Sequence, residues 1–135
     1  MPLTRDRNTP RREGEDFFRQ VAADAVIFMG ALVALNAAGH AVPASTATGL
    51  VADGVAEEPV DNTGGAAGDL NVKVRKGIFR FANSAGGDEI TIAHIGDTAY
   101  IVDDETVALT DGTSTRSAAG TIVDVDSDGV WIRIA

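Results

Sequence analysis

The chain has 135 residues, a formal net charge of −9, no cysteine and only 5% aromatic side chains. That is enough for one domain with a modest core of Val, Ile, Leu and Ala. It excludes disulfides, thiolate metal sites and a cysteine nucleophile, and the acidic balance argues against nucleic-acid binding, which needs clustered Lys and Arg.

The charge is unevenly placed. Residues 1–12 carry Arg5, Arg7, Arg11 and Arg12 against Asp6 alone, whereas residues 21–135 hold six basic and sixteen acidic side chains. The opening MPLTRDRNTPRREGED is polar and interrupted by Pro2 and Pro10. It has too little apolar surface to fold by itself and reads as flexible. The expected organisation is an N-terminal arm over residues 1–20 and one β-rich domain over residues 21–135. Phe17, Phe18, Val21, Ala22 and Ala25 recur at helical spacing, so a short amphipathic helix is expected at the arm's end. Two of the five phenylalanines stand side by side there, either docked on the domain's own core or aimed at a partner.

VIFMGALVAL, from Val26 to Leu35, is the most apolar run, but its ten residues are half the roughly 20 that a membrane-spanning helix needs. Arginines ahead of that run, and AVPA ending at Ala44, permit a signal-peptide reading. Glu13, Glu15, Asp16 and Asp24 make the leader atypically acidic, so the expectation is a soluble, unprocessed chain.

From Val26 onward, strand-like segments alternate with turn residues. In LNVKVRK, Leu70, Val72 and Val74 fall on one face and Asn71, Lys73 and Arg75 on the other. GIFRFAN continues it with a bend or bulge expected at Gly77. EITIAHI puts Ile90, Ile92 and His94 on one strand face. TAYIVDD, TVALTDG, TIVDVD and VWIRIA follow as short strands, and EEPVDNTGGAAGD (Glu57 to Asp69) reads as a surface loop. All four prolines fall at or before Pro59, which suits paired strands beyond it. The expected fold is all-β, a small antiparallel β-barrel or sandwich with little helix.

No catalytic signature stands out. GLVADG has P-loop glycine spacing, but Val55 and Ala56 replace the Lys and Ser/Thr that reach phosphate and magnesium. No serine sits in G-x-S-x-G. His40 and His94 are 54 positions apart, and His94 reads as a packed or interface residue; a small hydrolase built on it is the minor reading. Asp103-Asp104-Glu105 and Glu57-Glu58 are neighbours whose side chains point apart, unlike a general acid/base pair on one substrate. The closing DVDSDGVWIRIA imitates an EF-hand opening, with Asp124, Asp126, Asp128 and Gly129 at positions 1, 3, 5 and 6. Position 12 is Ala135 instead of the bidentate Glu. The better account is a β-hairpin with Ser127-Asp128-Gly129 at its tip and Asp124 and Asp126 facing solvent. No enzyme activity, metal, cofactor or small-molecule substrate is therefore expected, and the pattern is that of a binding or assembly module.

The series IFMGALVALNAAGHAVPA, GLVADGVAEEPVDN, GDLNVKVRKGIFRFAN, GDTAYIVDDETV and AGTIVDVDSDGVWIRI resembles small capsid decoration (cement) proteins of tailed bacteriophages. The similarity runs from about Val26 to Ala135. It rests on the G-x-F-x-F strand at Gly77–Phe81, the step from Gly96–Tyr100 to Asp103-Asp104, and the ending from Ala119-Gly120-Thr121 to Trp131. The resemblance implies a compact β-rich body, often a homotrimer, that binds the major capsid protein on the outer surface of the head. Such a protein resides in the host cytoplasm before assembly. It further implies that the arm touches capsid subunits, with Arg5, Arg7, Arg11, Arg12, Phe17 and Phe18 as candidate partner-binding residues. The alternative is a secreted or periplasmic β-sandwich binding module with residues 1–44 as its leader.

Overall fold

A computed structural model describes residues 2, 4, 5, 7 and 16–135. Among the described residues the alternating segments form twelve strands: β1 (Asp16–Gln20), β2 (Val26–Ile27), β3 (Leu32–Leu35), β4 (Ala41–Pro43), β5 (Val51–Ala56), β6 (Val60–Asp61), β7 (Asn71–Arg75), β8 (Gly77–Phe81), β9 (Thr98–Ile101), β10 (Val107–Ala108), β11 (Ala118–Asp126) and β12 (Gly129–Ile134). One five-stranded sheet runs β1-β7-β5-β3-β4, a second runs β10-β9-β11-β12-β8, and β2 and β6 form a two-stranded ribbon. Every strand pair is antiparallel. Neither large sheet closes on itself, so the expected all-β class takes the sandwich form and not the barrel.

The first sheet is the middle layer, because its strands carry apolar residues on both faces. In β3, Leu32 and Ala34 face one core with Phe81, Ile101, Ile122 and Ile132 of the second sheet. Val33 faces the other way, into a core with Ile27, Val60, Val72 and Val74 under the ribbon. Strands buried on both faces read as continuous apolar runs, which accounts for Leu32–Leu35; Phe28 and Met29, earlier in the same apolar stretch, are exposed. Among the described residues, no helix is long and apolar enough to cross a membrane.

Two glycines shape the route of the chain. Gly77, with φ 151°, is the expected bend, and it lies where the chain leaves β7 in the first sheet and enters β8 in the second. Gly54 follows a bulge in β5: Val33 pairs with Gly54 and Ala34 with Ala52, leaving Asp53 as the extra residue. A Cβ at Gly54 would lie 2.2 Å from the Arg75 carbonyl oxygen, and its φ is 151°. Gly54→Ala is therefore expected to destabilise the protein by about 3 kcal/mol through backbone clash and strain. Urea denaturation with an unchanged m-value checks it.

Several expectations are corrected. The helix over Phe17 to Ala25 is absent: Asp16–Gln20 pairs residue by residue with β7, from Asp16 opposite Arg75 to Gln20 opposite Asn71. The period there is two, and the arm expected over residues 1–20 gives way to sheet at Asp16. The strand through Ile90 and Ile92 is replaced by a 3-10 turn over Ile92–His94, leaving Ile90 buried and Ile92 71% exposed. Local bonds divert this segment. The Asn83 side chain bonds both the N–H and the carbonyl of Ile90, and Thr91 caps the turn. Leu70 lies outside β7 and is largely exposed. The alternation of TIVDVD leads one to expect Val123 and Val125 to pack inward; Val125 does pack against the core, but Val123 is skipped in the pairing of β11 with β12, so Ile122 takes the core position. The 57–69 loop contains β6 and is pinned by buried Asn62, whose amide donates to the carbonyls of Ala22 and Ala66.

Candidate interaction surface

β1 supplies the most distinctive chemistry of the described residues. β1 is an edge strand, and among the described residues no strand pairs with its outer side. Alternation splits the two phenylalanines that the sequence leaves undecided. Phe17 is half-buried against the body, whereas Phe18 is 69% exposed. The Phe17 ring lies 5.0 Å from the Arg19 guanidinium carbon and 5.6 Å from the Lys76 ammonium, both within cation–π range.

Those two cations converge on Asp53. Arg19 donates two hydrogen bonds to its carboxylate, at 2.7 and 2.9 Å, a fork-to-fork pairing. Lys76 donates to the same carboxylate and to the Asp53 carbonyl, each at 3.0 Å. The Asp53 side chain is only 3% exposed. Burial opposes its ionisation, but the bonds from Arg19 and Lys76, with their charges, outweigh that and hold its carboxyl below the ordinary aspartate value. Asp53 is the bulged residue of β5, Arg19 belongs to β1, and Lys76 sits at the corner between the sheets. One carboxylate thus ties the edge strand β1 to the middle strand of the first sheet. At the surface, Asp16 adds weaker pairs with Lys73 and Arg75 at 3.7 and 3.8 Å.

Of the candidate residues read from the sequence, Phe17 and Phe18 sit on β1, and Arg5 and Arg7 are exposed. Arg11 and Arg12 lie outside the described residues. Arg19, Asp53 and Lys76 were not singled out by sequence; the Asp-Gly step inside a strand-like run was the available signal for a bulge there.

The other sequence candidates have local structural roles. Asp126 accepts hydrogen bonds from the Trp131 indole N–H at 3.0 Å and from the backbone N–H groups of Asp128 and Gly129 at 2.8 and 3.1 Å. Those donors, Trp131 foremost, lower its pKa. The aspartate-rich stretch is a two-residue hairpin turn, since Asp126 pairs with Gly129 across Ser127-Asp128. His94 Nδ1 accepts the Thr91 backbone N–H at 2.9 Å, capping its own turn. Among the described residues, no group of three His, Asp or Glu side chains gathers as a metal site.

No family model matches the chain, and no curated protein and no solved structure matches it.

Proposed function

We propose that this protein is a non-enzymatic decoration protein of tailed-phage heads, which binds the outside of the major capsid protein lattice as a homotrimer and reinforces it through its N-terminal arms. It resides in the host cytoplasm before assembly and on the outer head surface afterwards. The resemblance along Val26 to Ala135 supplies the class, and the observation that carries the mechanism is the arm's entry into the body as edge strand β1.

Tension on an arm bound to a neighbouring capsid subunit runs along β1. It loads the whole β1–β7 ladder at once, in shear, together with the Arg19–Asp53 fork. A strand joined end-on would instead lose its bonds one at a time. The open edge of β1 offers N–H and carbonyl groups to an added strand, and exposed Phe18 on the same strand gives it an apolar anchor. Arg5, Arg7, Arg11 and Arg12 suit carboxylates on the shell, because guanidinium binds them bidentately. Several arms acting together convert weak single contacts into tight binding. The acidic body keeps the outward surface soluble and repels neighbouring copies on the lattice.

The test is binding to undecorated heads by the full chain and by residues 16–135. The truncated protein is expected to fold normally and to bind at least about 100-fold more weakly, as loss of one linked contact set requires. Equal occupancy by both proteins contradicts the arm mechanism.

A further inference from the structure

Two surface features that expose apolar side chains oppose each other in charge: Asp104 and Glu105 stand beside the first, and Arg133 stands at the rim of the second. The first is a knob at the turn from β2 to β3, where Phe28 and Met29 are 68% and 69% exposed. Its base is fixed: the Gly30 N–H bonds the Ala56 carbonyl, and the Leu32 N–H bonds the Asp104 carbonyl. Asp104 and Glu105 share a shallow hollow with Phe28 and Met29, and their side chains make no ion pair among the described residues. Two large apolar side chains held in solvent beside unpaired carboxylates have no evident role within one chain.

The second feature is an open cleft at the corner between the sheets. Phe17, Ile78 and Ile134 give it apolar walls, and Lys76 and Arg133 stand at its rim. Ile78 is 45% exposed. Arg133 is exposed and has no ion-pair partner among the described residues. In the body of the chain only six side chains are basic against sixteen acidic ones, so an unpaired arginine beside an apolar cleft marks a place where an acidic surface is attracted. In the first sheet β5 separates β3, which follows the knob, from β7, which leads into the cleft. The two features share no residue.

We propose that the knob of one copy seats in the cleft of the next, with Phe28 and Met29 against Phe17, Ile78 and Ile134, and Asp104 and Glu105 facing Arg133. The occupant is a second copy because this chain's own surface carries an exposed apolar turn with acidic neighbours, opposite in charge to Arg133 at the rim of the cleft. The two halves of the contact differ, so each copy offers one knob and one cleft, and three such contacts would close the homotrimer proposed above into a ring. The apolar contact supplies affinity, and the charges set register and suppress wrong docking. This inference rests on the homotrimer proposed above and gives its interface; assembly is measured with no shell present, so its failure and the failure of shell binding are told apart.

Sedimentation velocity on the full chain, across a concentration series, tests it with three variants: F28D/M29D, R133E, and R133E combined with D104R/E105R. Circular dichroism monitors the fold of each. The wild type is expected to form an oligomer of fixed size. F28D/M29D and R133E are each expected to weaken assembly by at least about 30-fold, the scale of a lost hot spot. The combined charge reversal is expected to restore much of the loss in R133E. A wild type that stays monomeric at roughly 100 µM, single variants that assemble like it, or a reversal that restores nothing would overturn the proposal. Loss of assembly on deleting residues 1–15, with the knob variants unaffected, would assign the cleft to the arm and overturn it as well.

Discussion

A chain beginning at Ser45 is expected to show no cooperative unfolding transition. Residues 16–44 supply β1, β2, β3 and β4, and these strands contribute to both cores. Val21, Ile27, Leu32 and Val33 are each 0% exposed, and each buried side chain of this kind is worth roughly 1.5–3 kcal/mol. Their combined loss is comparable with the entire stability of a small domain, about 5–15 kcal/mol. Removing β3 also strips β5 of its neighbour and uncovers Ile122 and Ile132 on one side and Val72 and Val74 on the other. Calorimetry of the 45–135 fragment checks this. A sharp heat-absorption peak would show that residues 16–44 are dispensable, as the reading of residues 1–44 as a leader requires.

Asp53→Ala is expected to cost about 2–3 kcal/mol at neutral pH. Removing the carboxylate leaves two partly buried cations without their anion, a change that costs more than the pair contributes. Arg19 and Lys76 keep 28% and 23% side-chain exposure, so water relieves part of the penalty and the estimate lies below the fully buried case. The pH dependence follows from the direction of the shift. The folded Asp53 carboxyl titrates below its ordinary value, so in acid the unfolded chain takes up its proton first. The stabilisation is complete above the ordinary aspartate range and fades as pH falls through the folded value. Asp61, Asp88 and Asp126 also titrate low, so acid weakens wild type and variant alike. The difference between the two isolates Asp53. Urea titrations at pH 7 and pH 3 should therefore show a gap that narrows in acid; a gap of constant size would mean that the carboxylate's charge is not what Arg19 and Lys76 require.

Much of the fold is legible in the sequence because it is local. The β11–β12 hairpin is written in its Val and Ile residues on either side of an Asp-Ser-Asp-Gly stretch, although the bulge at Val123 is not, and β7 in the strict alternation of Asn71 to Arg75. Gly77 marks the bend between sheets. What resisted reading is non-local. Phe17, Phe18 and Val21 fit a helical spacing, and only pairing with β7, more than fifty residues later, makes Asp16–Gln20 a strand. The Arg19–Asp53 bond spans 34 positions and depends on a bulge that itself needs Gly54. At Ile90 and Ile92 the alternation is present, but side-chain bonds from Asn83 and Thr91 win over sheet pairing. The interaction surface was legible in part. Phe17 and Phe18 were singled out together, yet a strand sends them to opposite faces, one onto the body and one into solvent.

The proposed function has this β-sandwich act by fastening to a larger shell through β1 and the residues before it. Titration of undecorated heads with the full chain, followed by co-sedimentation, tests it most directly. Saturable binding that reaches a fixed ratio of chain to capsid protein, and that residues 16–135 alone do not reproduce, is the expected result. A chain that remains in the supernatant at every concentration contradicts the account.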